Sequence, residues 1–179
     1  MPNPRGSFRN AKELLGEIQY AVEVGVREGK NSQAMLDAGC KRLICVDDYP
    51  ECVEHWIEAK GPVRITKEMQ DGFKANMVLG LKKYGDRVRY LNQSSTQAST
   101  LIKDGSVDYV YIDADHTYEH VMADILAWYP KVRSGGVLAG HDYAKDGYEG
   151  VVRAVTEFAQ RNGLTVVVCT ESDWMVVKP

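Results

Sequence analysis

The sequence predicts a doubly wound α/β fold: a seven-stranded, mostly parallel sheet with an antiparallel last strand and helices on both faces. Apolar runs typical of buried strands alternate with helical intervals through most of the chain. The last two apolar runs follow one another without a helix between them, and such a short connection joins antiparallel strands. The length of 179 residues suits one domain, expected to span 1–179.

The first half of the chain contains three of the expected strands. In order, the patterns predict a helix at 10–17 within an N-terminal helical segment at 1–19, a strand at 20–25, a helix at 31–39, and strands at 42–47 and 87–91. In the first helix, Leu14 and Leu15 are expected to face inward. Asn31 or Ser32 is expected to cap the second helix, since both side chains suit that position.

The interval 50–84 lies between the second and third expected strands and is mostly polar. Met69, Phe73, Met77 and Leu81 recur there at four-residue spacing, which is typical of the buried stripe of an amphipathic helix. We therefore predict a helical insertion over 50–84, and it is the candidate lid of the domain.

The second half contains the remaining four strands. The patterns predict a helix at 95–103, a strand at 107–113, a helix at 118–129, a strand at 137–140, a helix at 150–162, and closing strands at 165–169 and 173–177. The helix that begins at 118 is expected to continue past Pro130 and to stop at the Ser-Gly-Gly run at 134–136.

Composition argues against several classes of partner. The net charge is −3 and the basic residues are scattered, so we expect no nucleic-acid ligand. No apolar run approaches the roughly 20 residues needed to cross a bilayer, and the N-terminus has no signal-peptide core. Cys40, Cys45, Cys52 and Cys169 show no Cys-x-x-Cys spacing, which favours free thiols and a cytoplasmic protein.

Polar residues concentrate where the predicted parallel strands end. Ligands of open α/β sheets bind beyond the carboxyl ends of the strands, so these residues are the candidates for a site. In chain order they are Glu23, Gly25, Gly29, Asp47, Gln93, Ser94, Asp113, Asp115, His116, His141 and Asp142.

The loop after the first strand suits a ligand that carries a ribose. Gly25 permits a sharp turn and Gly29 a close approach, and Asp47 at the next strand end can accept hydrogen bonds from ribose hydroxyls. These features alone leave a dinucleotide open. Arg27 stands where a dinucleotide fingerprint has its middle glycine, so an oxidoreductase is a distant alternative.

Two motifs together resemble a known family. The loop has the form E-x-G-x-x-x-G, similar to the first motif of class I S-adenosylmethionine-dependent methyltransferases. The run D-x-D-H-x-Y at 113–118, followed by G-G-x-x-x-x-H-D at 135–142, resembles methyltransferase family 24, a family similar to macrocin and mycinamicin O-methyltransferases. Catechol and caffeoyl-CoA O-methyltransferases are more distantly similar. The similarity extends from 21 to 177 and implies a Rossmann-like fold.

The resemblance implies a set of residues that bind S-adenosylmethionine. Glu23 would help to hold the amino-acid part of the cofactor, and Asp47 would bind the ribose. Gln93 stands where many relatives carry the aspartate that meets the adenine amino group, and its side-chain carbonyl can also accept a hydrogen bond. The full set is Glu23, Gly25, Gly29, Ser32, Asp47, Gln93, Ser94 and Asp113.

The resemblance also implies a divalent metal held by Asp113, His141 and Asp142, and a catalytic pair formed by His116 and Asp113. His116 would be the general base. Close relatives have an oxygen ligand at the position of His141, and an imidazole favours Mn²⁺ or another transition ion over Mg²⁺. Asp115 is interpreted as a helix-capping carboxylate.

The leading hypothesis is therefore a methyltransferase that uses a divalent metal, Mg²⁺ or Mn²⁺, to methylate an oxygen of a small hydroxylated molecule. One alternative is a metal-independent methyltransferase acting on nitrogen or on a macromolecule. Another is a non-catalytic module that binds S-adenosylmethionine or a nucleotide. A homodimer is left open.

Overall fold

The chain folds as a sheet between two layers of helices, in agreement with the sequence prediction. The computed structural model describes residues 3–50, 53–57, 61–144 and 146–179, with the backbone alone at 53–57 and 61–63. The strands are β1 (Tyr20–Val24), β2 (Arg42–Val46), β3 (Val53–Ile57), β4 (Gly61–Ile65), β5 (Val88–Leu91), β6 (Val107–Ile112), β7 (Val132–Gly140), β8 (Val167–Val168) and β9 (Trp174–Val177). The helices are α1 (Gly6–Leu15), α2 (Lys30–Asp37), α3 (Lys67–Leu81), α4 (Ser95–Ser99), α5 (Tyr118–Trp128) and α6 (Glu149–Arg161).

Within the described residues, the main sheet has seven strands in the order β5-β2-β1-β6-β7-β9-β8. Strand β9 is antiparallel to both of its neighbours, and the other neighbouring pairs are parallel. The chain moves outward from β1 to β5 and then returns to β6, so the strand order reverses between β1 and β6. That reversal opens a crevice at their carboxyl ends, which is where a ligand binds in this architecture.

The two faces of the sheet form two hydrophobic cores. Alternate residues of each strand point to opposite faces, so Val22 and Val24 pack with α4, α5 and α6, while Ala21 packs with α1, α2 and α3. Trp128 and Trp174 are buried in the first core. No helix in the described part of the chain has the length and apolar character needed to cross a bilayer.

The expected helical insertion at 50–84 is wrong in its first part. Strands β3 and β4 form an antiparallel hairpin there, separate from the main sheet, and residues 51, 52 and 58–60 of the interval, Cys52 among them, lie outside the described residues. Helix α3 begins only after Thr66, whose hydroxyl accepts from the backbone N–H of Met69 at 3.4 Å. Met77 and Leu81 are buried as expected, but Met69 is 44% exposed because it lies in the first turn.

Three local expectations are also corrected. Leu14 is 54% exposed, because α1 begins earlier than expected and buries Phe8 and Ala11 instead. Helix α2 is capped by Gly29 in a left-handed conformation, since Asn31 and Ser32 lie inside the helix. Helix α5 ends at Trp128, well before the Ser-Gly-Gly run, because the chain from Val132 onward already pairs with β6.

Candidate functional site

The loop after β1 runs against the end of β6. Gly25 has φ +84°, and a Cβ built on it would lie 2.0 Å from the Asp113 carbonyl oxygen and 2.8 Å from the Ala114 Cα. The Asp113 N–H donates to the Val24 carbonyl at 2.8 Å, which fixes the two segments together. Only glycine fits between them, so the sequence motif reflects a backbone cradle that a Cβ would fill.

The far side of the same loop is closed by α3. A Cβ on Gly29, whose φ is +73°, would lie 3.1 Å from the Met77 Cγ. The Arg27 guanidinium sits 4.7 Å from the centroid of the Phe73 ring. The loop therefore has the end of β6 on one side and the buried face of α3 on the other.

Asp47 organises the loop from the end of β2. One carboxylate oxygen accepts from the backbone N–H groups of Val26 and Arg27, each at 2.9 Å, and the other accepts from the N–H of Tyr49 at 2.9 Å. Burial raises the pKa of Asp47, although these three donors oppose the rise. The residue expected to bind ribose thus also shapes the loop, which spacing alone does not indicate.

Glu23 is 2% exposed beneath the loop. It accepts from the Asn31 side chain at 2.9 Å and from the Ser32 hydroxyl, so these two helix residues face the acid. Burial raises the pKa of Glu23 to about 7, even though both hydrogen bonds favour the charged form. Ser32, which was expected to bind the cofactor, is fully buried, and its hydroxyl donates to Glu23.

Gln93 and Ser94 follow β5 at the other end of the crevice. Gln93 is exposed, and Ser94 is half-buried in the N-cap position of α4. The Tyr90 hydroxyl donates to the Asp47 carbonyl at 2.9 Å, which links this strand end to the neighbouring one. The two residues are therefore placed along the same edge of the sheet as the loop.

Asp113, His141 and Asp142 converge at the ends of β6 and β7. One ligand atom from each lies within 4.8 Å of the others. His141 Nδ1 is 3.0 Å from Asp142 Oδ1, and the N–H of His141 donates to the Ile112 carbonyl at 3.1 Å. Two carboxylates and one imidazole are a suitable donor set for a divalent ion such as Mn²⁺. The residues present therefore fit a metal.

The backbone of Asp142 is strained. Its φ is +60°, a left-handed conformation that costs free energy outside glycine, and the residue is 3% exposed. Such conformations cluster at functional sites, where the surrounding fold imposes them. Here the strain aims a buried carboxylate at His116 and His141.

His116 lies beside the same carboxylates. Its Nε2 is 2.9 Å from Asp142 Oδ2 and 3.7 Å from Asp113 Oδ1. Burial lowers the pKa of His116, but hydrogen bonding with the two carboxylates outweighs burial and raises it to about 9. The Tyr148 ring contacts the imidazole edge-on, with centroids 4.8 Å apart. Without a cation at the carboxylates, His116 is thus held in its charged form at neutral pH.

Asp115 shapes the turn before α5 and does not cap the helix as expected, because the N-cap residue is Thr117. Its Oδ1 accepts from the backbone N–H of Thr117 at 2.7 Å and from the Thr117 hydroxyl at 2.6 Å, just before α5 begins. It lies outside the cluster formed by Asp113, His141 and Asp142.

Sequence reasoning missed two residues near the site. The Arg5 guanidinium lies 4.0 Å from Asp113 Oδ2, and fully buried Asp173 lies 4.0 Å from His141 Nε2. Asp173 is held by the N–H and hydroxyl of Ser7 at 2.9 and 2.6 Å and by the Tyr111 hydroxyl at 2.9 Å. Neither residue follows a parallel strand, so the strand-end rule has no means of finding them.

Comparison with known proteins identifies the family and the fold of the chain. The sequence model of a methyltransferase-domain family, methyltransferase family 24, matches residues 22–143. Among curated proteins compared by sequence, none is significantly similar. The fold is similar to that of the O-methyltransferase NovP, with a TM-score of 0.67 and 15% identity over 96% of this chain and 79% of that chain.

Two further solved structures share the fold. One is the O-methyltransferase TomG from Streptomyces achromogenes in complex with S-adenosylmethionine, with a TM-score of 0.60 and 16% identity over 96% of this chain and 80% of that one. The other is an rRNA methylase from Streptococcus thermophilus, with a TM-score of 0.62 and 12% identity over 95% of this chain and 91% of that one. By its family match, its two motifs and its fold, the chain belongs to methyltransferase family 24 and is a class I S-adenosylmethionine-dependent methyltransferase.

Proposed function

We propose that this methyltransferase uses a divalent metal to methylate an oxygen of a small hydroxylated molecule. The observation that carries the proposal is the convergence of Asp113, His141 and Asp142 within 4.8 Å. Asp113 also forms one wall of the Gly25 cradle, so the candidate metal site adjoins the candidate cofactor loop. That proximity would bring an acceptor hydroxyl and a methyl donor into one reacting geometry.

In this proposal, Glu23 and Asp47 orient the cofactor through its amino-acid part and its ribose. A divalent ion held by Asp113, His141 and Asp142 would lower the pKa of the acceptor hydroxyl and offset the carboxylate charge that raises the pKa of His116. His116 Nε2 would take the hydroxyl proton, and S-adenosylmethionine would supply the methyl group that the acceptor oxygen receives, leaving as S-adenosylhomocysteine.

A small acceptor suits the surroundings of the site. The Tyr148 ring makes an edge-to-face contact with His116, and the Arg5 guanidinium lies beside Asp113. Side chains therefore surround the place where the acceptor hydroxyl would lie. The net charge of −3 does not favour an RNA acceptor. Cys40, Cys45 and Cys169 are free and buried, which suits the reducing cytoplasm that we propose as its location.

The experiment is methyl transfer from S-adenosylmethionine labelled with ¹³C in the methyl group. The enzyme is incubated with a panel of sugars, catechols and polyketides, in Mn²⁺, in Mg²⁺ or in chelator. We expect a ¹³C-methoxy signal in the NMR spectrum with metal and its loss with chelator. A labelled N-methyl product, or O-methylation of equal rate in chelator, would contradict the proposal.

The second candidate is metal-independent methylation of a macromolecule, favoured by the fold shared with an rRNA methylase. Transfer of label to total RNA or protein in chelator would support it. A binding module without transfer would take up S-adenosylmethionine but label no acceptor in either assay.

A further inference from the structure

We propose that the outer face of α3 pairs with the same face of a second copy of this chain, the two helices lying antiparallel across a two-fold axis. This surface, called the outer α3 face below, is a shallow groove lined by Asp71, Lys74, Ala75, Val78, Leu79 and Lys82. None of these residues belongs to the proposed methyl-transfer site, so the dimer and the proposed function can fail independently.

The outer α3 face exposes more apolar surface than a solvent-facing helix surface needs. Leu79 is 74% exposed and Val78 is 53% exposed, whereas Met77 and Leu81 on the inner face are almost fully buried. Helix α3 is therefore apolar on two sides. At the edge of the outer α3 face the Lys74 ammonium donates to the Asn92 side chain at 2.7 Å, but Val78 and Leu79 stay exposed. An apolar stripe beyond the core stripe is typical of a second packing contact.

The face is self-complementary. An axis crossing α3 between residues 76 and 77 would place Asp71 of one copy opposite Lys82 of the other and Ala75 opposite Val78. It would also place Lys74 opposite Leu79, so that the methylene stem of the lysine covers the leucine. Asp71 and Lys82 are eleven residues apart, which is about three helical turns, so both lie on the same side of α3. Because a two-fold interface repeats every contact, the pairing would form two Asp–Lys ion pairs around a small apolar centre.

The charges at both ends of the face are available for this pairing. Lys82 forms no ion pair within the described residues. Asp71 Oδ2 is 2.6 Å from the Lys67 ammonium, and a carboxylate has further acceptor sites for a second cation. Ala75 at the centre lets the two helices approach closely, within the roughly 8–10 Å axial separation of packed helices.

Helix α3 has 15 residues and is about 22 Å long. A single helix pair of this length covers less than the roughly 800 Å² per partner of a standard interface. We therefore expect a weak dimer with a dissociation constant in the micromolar range, formed at protein concentrations of about 10–100 µM.

Sedimentation velocity of the full chain over that range tests the proposal. Leu79→Asp should leave only monomer, whereas Leu126→Asp, at a 58% exposed leucine of α5, should dimerise as the wild type does. Asp71→Lys alone and Lys82→Asp alone should each raise the dissociation constant about tenfold or more, because each puts like charges opposite one another twice. Circular dichroism checks that every variant keeps its fold.

The decisive arm mixes the two charge variants. In a heterodimer of Asp71→Lys with Lys82→Asp, every opposed pair is again of opposite charge, so mixing should restore association to near the wild-type level. A wild-type protein that is monomeric at about 100 µM, or a mixture no tighter than its components, would overturn the proposal. Dissociation by Leu126→Asp would place the interface on another surface and overturn it as well.

Discussion

Replacing Gly25 by alanine tests the cradle between the loop and β6. The added Cβ would meet the Asp113 carbonyl oxygen at 2.0 Å, and real contacts of a Cβ essentially never fall below 3.0 Å. Both partners are backbone, so the loop and the end of β6 must separate by about 1 Å. Such a shift would misplace the loop that we expect to hold the cofactor, and losing one or two hydrogen bonds at about 1.4 kcal/mol each weakens binding roughly 10–100-fold. Gly25→Ala should therefore weaken S-adenosylhomocysteine binding by about that factor.

Gly16→Ala is the matched control. Gly16 has φ +73°, close to the +84° of Gly25, but a Cβ there would have nothing within 4 Å. Both variants carry the cost of alanine at a positive φ, roughly 1–2 kcal/mol, which corresponds to a melting temperature about 2–8 °C lower, and the backbone clash adds to this cost in Gly25→Ala. Only Gly25→Ala should also lose ligand affinity, measured by isothermal titration calorimetry. Equal affinities in the two variants would refute the cradle.

Four further variants extend the test. Asp47→Ala should raise the dissociation constant of S-adenosylhomocysteine about 10–100-fold by calorimetry, since it removes the proposed ribose acceptor and three hydrogen bonds to the loop. Asp48→Ala, at an exposed carboxylate, should leave that constant unchanged. Equal affinities in the two variants would exclude Asp47 from the site. Asp142→Ala should abolish the bound Mn²⁺ signal in electron paramagnetic resonance with an unchanged circular dichroism spectrum, and retained Mn²⁺ would remove it from the ligand set. His116→Gln should lower turnover roughly 10²–10⁴-fold while cofactor affinity stays constant, and normal turnover would make His116 structural. Burial raises the pKa of Glu23 to about 7, so the folded chain retains a proton that the unfolded chain loses near pH 4.5. The free energy of unfolding should therefore fall as the pH rises from about 4.5 to about 7. Glu23→Gln should flatten that part of the urea-denaturation profile, and an unchanged slope would contradict the assignment.

The sequence predicts the main sheet because its signals are local. Each strand of the sheet is an apolar run, and each intervening helix has its own periodicity. The sequence does not predict the β3–β4 hairpin, because polar residues such as Glu54, His55 and Arg64 interrupt the apolar pattern of its strands. These two strands do not belong to the buried main sheet. The placement of β9 between β7 and β8 depends on pairing between distant segments, which spacing does not encode.

The strand-end rule locates the candidate site for a physical reason. Parallel register brings the residues after β1, β2 and β6 to one edge, so Gly25, Asp47 and Asp113 lie together. The sequence does not predict the orientation of individual side chains. Serine is a common helix-capping residue, yet Ser32 donates to Glu23 instead. Such contacts are decided by tertiary packing rather than by local preference.

The N-terminal contribution to the site lies beyond sequence reasoning. Ser7 and Asp173 are 166 positions apart, and their hydrogen bonds form only once α1 has packed under β6 and β7. Arg5 reaches Asp113 from the same segment. No motif relates these residues, so only the folded chain reveals that its two ends meet near the candidate metal ligands.

The proposed mechanism requires a divalent ion between β6 and β7 to assist methyl transfer. Anomalous scattering from crystals soaked in Mn²⁺ and S-adenosylhomocysteine would locate that ion. We predict one strong peak within about 2.5 Å of ligand atoms from Asp113, His141 and Asp142. A fully occupied cofactor site with no anomalous peak at these three residues would exclude a metal-assisted transfer at this site.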